Sequence, residues 1–152
     1  MKKISVLFLF LISACGMTRD AAQDADVQLA LKGASYIFKQ EHLYPGDLQK
    51  DLNLLNWKLY IHNFKEDMNC SRSCEACTVF NPETHIIRVE LYSRADWKEC
   101  PRISKFFLHE LYHISLRLTQ RFADPMHIDP RWTRIKQIQE NINPCRIGLL
   151  YE

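Results

Sequence analysis

The spacing of hydrophobic positions changes several times along the chain, and each change marks an element. Across residues 25–40, Val27, Ala30, Leu31, Ala34, Ile37 and Phe38 recur every three or four positions, which predicts a helix with Gly33 as its weak point. Tyr44-Pro45-Gly46-Asp47 reads as a turn, and residues 48–55 predict a short helix. Residues 57–64 alternate as a strand does. Thr78-Val79-Phe80, the turn Asn81-Pro82-Glu83-Thr84 and residues 85–92 predict a hairpin, with Ile87, Val89 and Leu91 on one face and Arg88 and Glu90 on the other. The period then returns to that of a helix: Ile103, Phe107, Leu111, Ile114 and Leu118 form a stripe, and Pro101 suits a first turn. Phe106 and Leu108 add apolar surface on other sides, so this helix is expected to pack between two layers. After a loop over residues 123–128, Asp129-Pro130 supplies an N-cap and first turn. Trp132, Ile135, Ile138 and Ile142 give the last helix one apolar face, and Asn143-Pro144 ends it. The tail, residues 147–151, is expected to add an edge strand or to pack. The predicted class is α+β: an N-terminal helix, a small mostly antiparallel sheet, the long central helix and a following C-terminal helix.

The start of the chain follows none of these patterns. Met1-Lys2-Lys3, an apolar run over residues 4–12 and the small residues Ser13-Ala14 make an export signal, too short for a comfortable membrane span. Ile12-Ser13-Ala14-Cys15 resembles a bacterial lipobox. That resemblance implies a signal peptide over residues 1–14, lipid attachment at Cys15, a tether over residues 15–26 and a folded domain over residues 27–152. Several acyl chains on Cys15 would anchor the protein in a membrane. Gly16, where an Asp would favour retention at the inner membrane, directs a Gram-negative lipoprotein to the outer one. The expected location is therefore the cell envelope, lipid-anchored, at the periplasmic face of the outer membrane or at the cell surface. Removing Lys2 and Lys3 also turns 20 basic against 18 acidic residues into 18 against 18. A near-neutral mature chain gives no reason to expect nucleic acid as a partner.

Export makes disulfides the default state of Cys70, Cys74, Cys77, Cys100 and Cys145. The cluster over residues 70–77 is compact, so Cys100 and Cys145 are expected to receive bridges from it. A second zinc site built on Cys70, Cys74 and Cys77 is the rival reading, although there is no second CxxC.

The central helix carries the chemistry. It contains His109-Glu110-Leu111-Tyr112-His113, an H-E-x-x-H pattern. Residues four apart lie on one helical face, so both histidines can reach one metal ion, with Glu110 beside the open position to take a proton from bound water. A catalytic zinc site needs a third protein ligand. The long metzincin pattern would place a glycine and a histidine at positions held here by Leu116 and Thr119, which excludes that class. The candidates left are His127, Asp124, Asp129 and Glu140. Glu140 lies roughly 160° around its helix from Ile138 and Ile142, away from the apolar face. His127 can return to the motif: if the helix runs on for about 12 Å, six extended residues spanning about 20 Å suffice. His127 is preferred, with the other three kept as alternatives.

The segment Phe107-Leu108-His109-Glu110-Leu111-Tyr112-His113, the loop with His127 and a helix opening at Trp132 resemble SprT-like zinc metalloproteases over residues 78–142. The resemblance implies a small sheet, the HExxH helix and a third histidine at the entrance to the next helix. Met126 stands where that family usually has glycine. Its members act inside cells on DNA-associated proteins, whereas this chain carries an export signal, so the resemblance bears on site layout and not on substrate. The expected function is an envelope-anchored zinc metallopeptidase acting on a peptide or protein, with Glu110 activating a zinc-bound water. The alternative is a lipoprotein that binds zinc or a protein partner without catalysis. His42, His62 and His85 are read as ordinary surface or strand histidines.

Overall fold

The computed structural model describes residues 20–62, 64–70, 74–92, 105–120 and 122–141. Helix α1 spans Ala25–Gln40 and buries Val27, Ala30, Leu31, Ala34 and Phe38, the stripe its periodicity predicts. Helix α2, Leu48–Asn53, is capped by Asp47, whose carboxylate accepts from the Lys50 amide at 3.0 Å; it packs on α1 through Leu48 and Leu52. Each such fully buried leucine or phenylalanine contributes about 1.5–3 kcal/mol to folding.

Three strands follow: β1, Trp57–His62; β2, Ala76–Phe80; and β3, Ile87–Tyr92. The sheet order is β1-β3-β2. β2 and β3 form the expected antiparallel hairpin, with Thr78 opposite Val89, but β1 runs parallel to β3, with Leu59 opposite Val89. The sheet is therefore mixed, not mostly antiparallel. The reason is the connection from β1 to β2, which holds a 3-10 turn at Lys65–Asp67 and carries the chain past the place β3 later fills. The strand order leaves β2 at an edge, against the central helix.

That helix, α3, spans Lys105–Gln120. Phe107, Leu108, Leu111, Tyr112, Ile114 and Leu116 are all buried, so apolar contacts surround it on several sides, as expected of a helix between two layers. It packs on β2 and β3 and on the last helix, α4, Trp132–Asn141, while Tyr112 meets Phe38 of α1 edge-on at 6.0 Å. The fold is α+β.

Three expectations change. The segment read as tether is docked from Asp20 onward: Asp20 bridges Tyr60, its carboxylate accepts from the Leu59 amide, and Ala21 and Ala22 enter the core. The cysteine cluster closes on itself through a Cys70–Cys77 disulfide with Cα atoms 6.2 Å apart, within the ordinary range, which joins Cys77 of β2 to Cys70 in the connection before it. Cys74 stays a free thiol. Finally, Glu90 and His62 are buried rather than solvent-facing. The Glu90 carboxylate accepts from the backbone and side-chain amides of Asn69 and pairs with Arg88 and His62, which ties the cysteine loop to the sheet. Cys15, Cys100, Cys145, Pro101 and the tail lie outside the described residues.

Candidate metal centre

His109 and His113 occupy one face of α3, one turn apart, and the loop after α3 brings His127 to them. His113 Nε2 lies 3.2 Å from His109 Nε2 and 3.2 Å from His127 Nε2, and one nitrogen of each ring falls within 4.8 Å of the others. A tetrahedral ion with zinc–nitrogen bonds of about 2.0–2.1 Å would space its ligand nitrogens about 3.3 Å apart. Two of the three spacings match such an ion, and three neutral imidazoles are a donor set that zinc takes.

The rings are held for that arrangement. His113 Nδ1 donates to the Ala123 carbonyl at 2.6 Å, which leaves Nε2 as the electron-pair donor. The Trp132 ring packs against all three imidazoles, with centroids 4.7, 4.6 and 4.3 Å from those of His109, His113 and His127. Burial and the neighbouring imidazoles lower the His109 pKa to about 4, and burial lowers that of His113. Both are therefore neutral at pH 7, the form a metal needs.

The loop itself is organised by the two aspartates that were ligand candidates. Asp124 is buried and accepts from the Ile128 amide at 2.9 Å, the Asp129 amide at 2.7 Å and Trp132 Nε1 at 2.7 Å. Asp129 accepts from the Arg131 guanidinium and backbone amide and from the Tyr112 hydroxyl. At Asp124 these bonds outweigh burial and lower the pKa, and at Asp129 they hold the carboxyl well below the usual range. Asp124 and His127 sit at φ 49° and 55°, a left-handed conformation tolerated better by Asp and His than by most residues. The carboxylates thus shape the loop that presents His127, and neither joins the histidine group. Glu140 is exposed at the mouth of the cleft and also stays apart from it.

Glu110 is 4% exposed and opens onto the cleft next to the histidines. The Thr78 hydroxyl of β2 donates to its Oε2 at 2.7 Å. Burial pushes the Glu110 pKa up to about 7, against the opposing effect of that bond. Such a carboxyl exchanges protons near neutral pH, as a general base must. The pattern HELYH identified Glu110, but Thr78 was missed. Its signal is faint: a β-branched polar residue in the first strand of the hairpin that precedes the motif helix.

Comparison of the chain with family models, with characterised proteins and with solved structures finds no match. The likeness to SprT-like proteases thus rests on the residues quoted for it, and the function on the site.

Proposed function

We propose that this protein is a zinc-dependent metallopeptidase of the cell envelope, held to a membrane by lipid on Cys15, with His109, His113 and His127 as ligands and Glu110 as general base. The observation that carries the reading is the convergence of three imidazole nitrogens beside a buried carboxylate whose pKa is near 7. Zinc bound there would supply a Lewis acid that acidifies water and polarises a peptide carbonyl. Thr78 occupies Oε2 of Glu110 and leaves the other carboxylate oxygen to accept the proton of the attacking water. Glu110 can then return that proton to the departing amine, which closes the cycle. Trp132 and the Ala123 carbonyl keep the imidazoles in place meanwhile.

The test is Glu110→Gln. It should bind zinc as the wild type does and lose peptide hydrolysis by about 10²–10⁴-fold, the usual contribution of a positioned acid–base group. Hydrolysis at the wild-type rate would exclude this mechanism. Zinc binding with no hydrolysis by the wild type would favour the non-catalytic, zinc- or protein-binding alternative.

A further inference from the structure

Two recesses open from His109 and Glu110, and they differ in charge. Cys74 and Ala76 wall both. One, of about 580 Å³, is bordered by Glu75, Lys136 and Glu140. The other, of about 350 Å³, runs past Thr78 and the remaining histidines to Phe80, Ala123 and Pro125, and among the described residues its lining carries no formal charge besides Glu110. Phe80 is braced there by Arg117, whose guanidinium carbon lies 5.6 Å from the ring centroid. The same loop that supplies Pro125 and His127 exposes Phe122, Met126 and Ile128, the last two at 78% and 73%. Large apolar side chains clustered in water around a functional loop mark a contact surface.

We infer that the recess between Phe80 and Pro125 is a specificity site that takes a large apolar side chain of the peptide substrate next to the cleaved bond. This rests on the peptidase reading above. An acidic or basic side chain placed there would give up water and, among the described lining residues, meet no opposite charge beyond the reacting groups, whereas a leucine or phenylalanine would lie on Phe80 and Pro125. A lipid surface is a weaker fit, because the recess is concave and continuous with the reacting groups, and Arg131 of this loop region is already paired with Asp129.

The test uses full-length, zinc-loaded protein and quenched fluorescent peptides that differ at single positions flanking the cleaved bond, with Leu or Phe set against Asp or Lys. Binding of the same peptides to Glu110→Gln protein, followed by fluorescence anisotropy, reads recognition without turnover. At one flanking position the apolar side chain should be preferred at least about tenfold in both kcat/KM and Kd. Phe80→Ala should erase most of that preference. Pro125→Glu, at an exposed position, should turn it toward Lys. Cleavage with no preference, or a preference that neither variant moves, overturns the specificity site alone. No cleavage by the wild type, with the apolar preference kept in binding, removes the peptidase reading and keeps the site. Phospholipid vesicles that bind the protein through Met126 and Ile128 while peptides show no preference would make the loop a membrane contact and overturn the proposal.

Discussion

Among the described residues two glutamates, Glu90 and Glu110, are buried, and their surroundings treat them in opposite ways. Glu90 is 0% exposed at the centre of the sheet, and both its oxygens meet donors: two amides of Asn69, with Arg88 and His62 beside them. Glu110 is buried nearly as deeply, but Thr78 is its one side-chain donor among the described residues, and its other oxygen faces a cleft with three histidines. A carboxylate whose acceptor sites are filled is a structural tie. One left partly unsatisfied at the edge of a cleft, with its pKa near 7, is able to do proton chemistry.

The two should therefore respond differently to mutation. The largest effect is expected from His113→Ala, which removes the central imidazole of the three and should weaken zinc binding at least about 100-fold, as read by competition with a chelating dye. Glu90→Ala strands the Asn69 donors and the Arg88 guanidinium, and should cost on the order of 3 kcal/mol in urea unfolding while the folded protein still binds zinc. Glu110→Gln should do the reverse, leaving stability unchanged or raised and removing activity. Thr78→Val should lower kcat about tenfold with KM and zinc content little changed, and Thr78→Ser, which keeps the donor, should recover most of the loss.

The pH dependence isolates Glu110 further. Its folded pKa, about 7, lies above the ordinary carboxylate value of 4.5, so between those pH values the folded state binds more protons than the unfolded one. The contribution of Glu110 to stability is therefore present below pH 4.5 and is lost as pH rises through 7. His109, lowered to about 4, acts with the opposite sign over an overlapping range. The total can look flat. The difference between Glu110→Gln and wild type, both metal-free, should instead widen in favour of the variant from pH 5 to pH 8 when Tm is compared. A difference that does not change with pH would contradict the burial assigned to Glu110.

Much of this fold could be read from the sequence where one physical rule dominated. The apolar stripes of α1 and α3 recur at the helical period because each helix has a face to bury, and the hairpin is set by Asn81-Pro82 between two alternating runs. Strand order was less legible. Alternation shows which face of β1 is buried but not which neighbour pairs with it, so the parallel β1–β3 contact was hidden. The buried Glu90 looked like a solvent-facing charge because its partners, Asn69 and His62, are distant in sequence. In the site, HELYH and its spacing identified three residues. Choosing His127 over Asp124 and Asp129 depended on loop geometry, in which the aspartates are consumed by backbone amides, Trp132 and Arg131. The Cys70–Cys77 bridge was missed because spacing alone does not show that one cysteine enters a strand.

The central claim is that three histidines, and not the neighbouring cysteines, form the zinc site. X-ray absorption at the zinc edge of stoichiometrically loaded protein tests it most directly. The account predicts three imidazole nitrogens at about 2.0–2.1 Å and an oxygen completing four-coordination, with one imidazole lost in His127→Ala. Sulfur at about 2.3 Å, or a spectrum that His127→Ala leaves unchanged, would contradict it.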